Sequence, residues 1–78
     1  MAKILVVDYD QGMRELLDIM LCKERYKVSC YGDPEKALVR CAKEKYDLVI
    51  TDLKMPRMDG ITFLKRLKAQ ESEFLKDI

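Results

Sequence analysis

The sequence predicts an α/β fold: a small parallel sheet with helices on both faces, in the order βαβαβα. Three observations carry that prediction. Short apolar, β-branched runs recur along the chain, without the clean polar alternation of a half-solvated strand. Segments with apolar residues at helical spacing separate them. The connections are short, so strands joined through helices must lie parallel, and right-handed crossovers then fix the topology.

The elements follow in order. Lys3–Val7 reads as a strand buried on both faces and ends at Asp8-Tyr9-Asp10. From Gln11 to Lys23, Met13, Leu16, Leu17, Met20 and Leu21 recur at helical spacing, and Asp10 is placed to cap that helix. Lys27–Tyr31 is a second strand. Gly32-Asp33-Pro34-Glu35 opens a second helix, with Asp33 as N-cap, Pro34 at the first helical position and Ala37, Leu38, Cys41 and Ala42 on its inner face. Asp47–Thr51 is a third strand, apolar enough to be covered on both faces, and Asp52 closes it. Leu53–Gly60 holds Pro56 and Gly60 and is a loop. Asp59 caps a third helix over roughly Gly60–Ala69, with Ile61, Leu64 and Leu67 among its apolar positions. Gln70–Ile78 is polar, with Phe74, Leu75 and Ile78 near its end.

At 78 residues the chain is one small domain, which buries only about 60–65% of the surface its unfolded form exposes. With 49% hydrophobic and 37% charged residues it has the composition of a folded globular protein, which argues against disorder. Lysine and arginine total 15 against 14 acidic residues, so there is no basic excess to hold nucleic acid or an anionic membrane. No apolar run approaches a membrane span, the N-terminus does not read as a signal peptide, and a cytoplasmic location is expected. Cys22, Cys30 and Cys41 are odd in number and lack a CxxC pair, and read as small buried apolar residues in a reducing compartment. The chain has no histidine, which removes histidine-based general base catalysis and most zinc sites.

Parallel α/β sheets bind ligands at the carboxyl ends of their strands, where strand order reverses. With the second and third strands on opposite sides of the first, that point lies between Asp8 and Asp52. Two carboxylates so close need protonation or a neutralising cation. Oxygen ligands at an open site suit Mg²⁺, and an aspartate beside Mg²⁺ can act as nucleophile toward a phosphoryl group. Either aspartate alone is more commonly a cap or a surface residue, and it is both of them ending apolar strands in this order that points to a site.

Ile4-Leu-Val-Val-Asp8, Met13-Arg14, Tyr46-Asp-Leu-Val-Ile-Thr-Asp52 and Met55-Pro-Arg-Met-Asp-Gly60 together resemble the receiver domain of two-component response regulators, a flavodoxin-like, CheY-like family. The likeness covers the whole chain and is nearest to receivers of transcription-activating response regulators. It implies a phosphoacceptor signalling domain rather than an enzyme in its own right. Asp52 takes the acceptor position, Asp8 belongs to the acidic pair that holds Mg²⁺, and Lys54 offers its backbone carbonyl to the metal. Met55-Pro56 and Asp59-Gly60 shape the loop after the acceptor.

Two departures stand out. Tyr9 occupies the place of the second, directly coordinating carboxylate, and a neutral phenol is a poor Mg²⁺ ligand, so metal binding is expected to be weakened. Asp10 is the available substitute, though it is also the helix cap. The family has five strands, whereas residues 1–78 hold the first three βα units, and Asp77-Ile78 reads as the approach to a fourth. The hydroxyl residue and lysine that end strands four and five in the family have no counterpart here.

The resemblance implies a sensor histidine kinase or phosphotransfer protein as donor, docking largely on the first helix, and an effector domain in a longer chain. Met13 and Leu16 either pack on the sheet or contribute to that docking surface. Lys65, Arg66 and Lys68 read as a solvated face. A phosphorylation-deficient, receiver-like interaction module is the alternative function. A hydrolase with an aspartate nucleophile is disfavoured by Lys54, which stands where that chemistry needs a second aspartate. An uncovered third strand is expected to pair with a second copy around a two-fold axis or to exchange strands with it, giving a homodimer or strand-exchanged oligomer.

Overall fold

The computed structural model describes residues 1–76, with side chains through Glu71. Six elements appear in the expected order: β1 Lys3–Val7, α1 Gln11–Lys23, β2 Lys27–Tyr31, α2 Pro34–Cys41, β3 Leu48–Thr51 and α3 Gly60–Lys76. The sheet is parallel, in the order β2-β1-β3, so the order reverses between β1 and β3. Val7 lies between Tyr31 on one side and Thr51 on the other.

β1 is central, and Ile4 to Val7 are buried. Strand alternation sends Leu5 and Val7 to one face, where they form the core with Ala37, Leu38, Met58 and Phe63. Helices α2 and α3 pack together on that side, and α1 packs on β1 and β2. The two edge strands are less covered. Leu48 is 52% exposed, so β3 is not sealed on both faces as its apolar sequence suggests. Among the described residues, β3 hydrogen-bonds to β1 alone.

Helix ends follow local chemistry. Asp10 Oδ1 accepts from the Gly12 amide at 3.1 Å, Asp33 Oδ1 from Glu35 at 3.0 Å and Asp59 Oδ1 from Thr62 at 2.7 Å. At the end of α1 the Tyr26 amide donates to the Leu21 carbonyl and the Arg25 amide to that of Cys22, with Arg25 at φ 67. This is a Schellman closure with arginine where glycine is usual.

The interior differs from the sequence reading in several places. Phe63, fully buried, fills the core from α3, whereas Ile61 and Leu64 are exposed. The reason is the docking of α3 on α2, which turns Phe63 and Leu67 inward. Helix α3 runs past Ala69 to Lys76, because 70–76 lacks glycine and proline and is made mostly of good helix formers. Ala42 is the exposed C-cap of α2 rather than part of its inner face. The cysteines differ from one another: Cys22 is exposed on α1, Cys30 is partly buried, and Cys41, also partly buried, packs against the core from α2 as expected. Asp77 and Ile78, read as the approach to a fourth strand, lie outside the described residues.

Candidate functional site

The carboxyl ends of the strands carry the acidic residues. The Asp8 amide donates to the Tyr31 carbonyl at 3.1 Å, and the Asp52 amide donates to the Val7 carbonyl at 2.9 Å. Each aspartate thus continues its strand by one residue, and the β1–β3 register sets Asp8 beside Asp52 across a strand spacing of about 4.8 Å. Both are partly buried. Asp52 stands at the strand end because β3 stops there: the loop 52–59 turns back so that the Gly60 amide donates to the Leu53 carbonyl at 2.9 Å. A methyl group on Gly60 would lie 2.2 Å from the Asp52 carbonyl oxygen, so the start of α3 presses on the Asp52 backbone, a distance only glycine permits.

The β1–α1 loop holds itself in shape. Asp8 Oδ1 accepts from the Asp10 amide at 2.9 Å, and the Asp10 carboxylate caps α1. Asp10 therefore serves the helix, its carboxylate turned to Gly12. Tyr9 lies between them and is 63% exposed. It lines an open cleft of about 210 Å³ with Gly32, Asp33, Pro34, Pro56 and Arg57, the last at φ 71. Lys54 is exposed in the 52–59 loop. Among the described residues, no group of three or more acidic, histidine or cysteine side chains is gathered to hold a metal. The acidic set at the strand ends reduces to Asp8 and Asp52, two hard oxygen donors of the type Mg²⁺ accepts.

Met13 and Leu16 do not pack on the sheet: they are 41% and 51% exposed, because the inner side of α1 is formed by Arg14, Leu17 and Leu21. Among the described residues, no helix is long and apolar enough to cross a membrane.

Sequence reasoning noted Arg14 only as part of a motif. In the fold its guanidinium Nη1 donates to the Asp8 carbonyl at 2.7 Å and the Tyr9 carbonyl at 3.1 Å. Its spacing with Leu17 and Leu21 is the signal that marks it as inward-facing.

Comparison with known proteins agrees with this architecture. Residues 4–75 match the response regulator receiver domain family, and the chain belongs to it. It is 46% identical over 66 residues to sporulation initiation phosphotransferase F of Bacillus subtilis, covering 85% of this chain and 53% of that protein. The crystal structure of response regulator TrrA from Thermotoga maritima in complex with Mg²⁺–BeF superposes with a TM-score of 0.85 at 35% identity, covering 92% of this chain and 63% of that one. A chain in the crystal structure of histidine kinase ThkA in complex with TrrA superposes with a TM-score of 0.83 at 36% identity, covering 88% and 60%. The chain thus spans about half the length of that curated relative and about three fifths of those solved chains.

Proposed function

We propose that this receiver domain accepts a phosphoryl group on Asp52 from a phosphohistidine of a sensor histidine kinase or phosphotransfer protein, and so controls an output in a longer signalling chain. The observation that supports it most is the placement of Asp52 beside Asp8 at the reversal of strand order, in a chain of the receiver family. An Asp52 carboxylate oxygen attacks phosphorus, the donor's P–N bond breaks, and the imidazole leaves with the electron pair and takes a proton from water. The product is an aspartyl phosphate.

Asp8, Asp52 and the Lys54 carbonyl are the groups that would hold Mg²⁺. The ion would neutralise the clustered charge and stabilise the phosphoryl oxygens in transfer. Tyr9 supplies no carboxylate and Asp10 is occupied as a cap, so weak Mg²⁺ affinity belongs to the same reading. Met13 and Leu16, exposed on α1 near the acidic loop, are proposed to contribute to the donor's docking surface. The outer edge of β3, which bonds to no further strand among the described residues, is proposed to pair two copies of the 78-residue chain into a continuous six-stranded sheet. Light scattering tests that pairing: a folded, monodisperse monomer at high concentration would count against it.

Mass spectrometry after exposure to acetyl phosphate and Mg²⁺ tests the acceptor. The expected result is one added phosphoryl group, lost in Asp52→Asn. A second reading, an interaction module that takes no phosphoryl group, is favoured by the exposed Tyr9 phenol and by the lack of a third gathered carboxylate among the described residues. It predicts no adduct and no Mg²⁺-dependent NMR shifts at Asp8 or Asp52.

A further inference from the structure

We propose that Arg14 is a positioning residue for the acceptor site, holding the Asp8–Tyr9 loop from behind, and that Gly32 is the position that admits it. This rests on the reading of Asp52 as acceptor. The β1–α1 loop has two carbonyls directed at one guanidinium nitrogen: Asp8 O at 2.7 Å and Tyr9 O at 3.1 Å from Nη1. The next carbonyl, that of Asp10, accepts the first backbone bond of α1, from the Arg14 amide at 3.1 Å, so the clamp proper is the side-chain contact to Asp8 and Tyr9. A charged donor bonded to carbonyls is stronger than a neutral one, and at Asp8 the contact is partly buried.

Gly32, in the turn after β2, is the opposite wall. A methyl group there would lie 2.7 Å from Arg14 Nη1, 3.0 Å from Cζ and 3.4 Å from Nη2. The guanidinium thus sits between the Asp8–Tyr9 carbonyls and the Gly32 Cα, tying the loop after β1 to the turn after β2. Asp8 is the partner of Asp52, and its carboxylate direction depends on this backbone: its Oδ1 is fixed by the Asp10 amide of the same loop. Arg14 touches no reacting atom; its effect on the chemistry passes through the carbonyls that orient Asp8.

The two residues offer a test that separates positioning from folding. A methyl group at Gly32 meets only the far end of a flexible side chain, so Gly32→Ala displaces the guanidinium while the chain folds. Initial rates of phosphorylation by acetyl phosphate are measured against Mg²⁺ concentration for wild type, Arg14→Met, Arg14→Lys, Gly32→Ala and the Gly32→Ala/Arg14→Met double variant. Circular dichroism restricts the comparison to folded protein. The expected result is a weakening of apparent Mg²⁺ affinity by about tenfold or more in Arg14→Met, the scale of lost outer-shell support. Gly32→Ala should match it, the double variant should add nothing further, and Arg14→Lys should recover part of the loss through its single ammonium donor. Additive defects, or an Arg14→Met variant with wild-type Mg²⁺ dependence, would overturn the proposal.

Amide NMR shifts of Tyr9 and Asp10 provide a readout that does not need activity. If wild type takes no phosphoryl group, the acceptor reading fails. The clamp is then judged alone, by whether Arg14→Met and Gly32→Ala move those amides alike; shifts confined to the immediate neighbours of each mutated residue would overturn it.

Discussion

Gly60→Ala sets two rules against each other. Gly60 is the first residue of α3, and alanine is the better helix former by about 1 kcal/mol, so propensity alone predicts stabilisation. The packing predicts the reverse. An added methyl would meet the Asp52 carbonyl oxygen at 2.2 Å, its carbon at 3.1 Å and Leu53 Cα at 3.2 Å, all backbone atoms that cannot rotate aside. Relieving that overlap means a retreat of about 1 Å by the helix start or the 52–59 loop, and overpacking of this kind costs about 1–3 kcal/mol. The 2.9 Å bond from the Gly60 amide to Leu53 would stretch as well, at about 1 kcal/mol. After the propensity gain the net loss is about 1–3 kcal/mol, a large share of what a small domain holds. Urea unfolding followed by circular dichroism measures it. Gly12→Ala is the internal control: its methyl finds only Asp10 Oδ1, at an ordinary 3.6 Å, so it should stabilise by about 0.5–1 kcal/mol. If Gly60→Ala is neutral or stabilising, the close approach of α3 to Asp52 is not a fixed feature of the fold.

Other outcomes follow from single features. Arg25→Gly relieves a left-handed residue at the Schellman closure of α1 and should raise stability by about 0.5–1 kcal/mol in urea unfolding; a destabilised variant would show that the arginine side chain matters more than its backbone strain. Hydrogen bonds from Thr62, backbone first and then side chain, hold the Asp59 carboxyl below its ordinary value of 3.8. A lowered folded value means stability present above the unfolded value and lost as pH falls through the folded one. The urea midpoint should therefore drop below about pH 4, and Asp59→Asn should remove part of that dependence. Hydrogen bonding to Asp18, followed by desolvation, raises the Cys22 thiol, and burial raises Cys30 and Cys41. All three should alkylate slowly near neutral pH despite the exposure of Cys22, and Asp18→Asn should speed modification of Cys22. Alkylation of Cys22 at the rate of a free thiol would refute this.

What the sequence discloses is mostly local. Asp10, Asp33 and Asp59 cap helices because a short acceptor side chain beside free amides needs no knowledge of the rest of the fold. β1 is legible since its apolar run is covered on both faces, and its flanking strands place Asp8 and Asp52 together. Tertiary choices are less visible. Ile61, Leu64 and Phe63 are all apolar residues of one helix, and only the docking of α3 on α2 selects Phe63 for the core. Met13 and Leu16 share the helical spacing of Leu17 and Leu21, yet the rotation of α1 on the sheet leaves them exposed while Arg14 turns inward. Arg14 is the least expected, since a charged side chain on an inner stripe acquires its meaning only from two carbonyls in the loop before its helix and a glycine in the turn after β2.

Whether Asp52 itself takes the phosphoryl group is decided by trapping the acyl phosphate. The chain is incubated with a phosphohistidine-bearing donor and Mg²⁺, reduced with borohydride, digested and sequenced by mass spectrometry. Reduction of an aspartyl phosphate leaves homoserine, which is expected at position 52 alone and in proportion to the phosphorylated fraction. Homoserine at Asp8, Asp10 or Asp59, or at no position while the donor still loses its phosphoryl group, would contradict the assignment of Asp52 as acceptor.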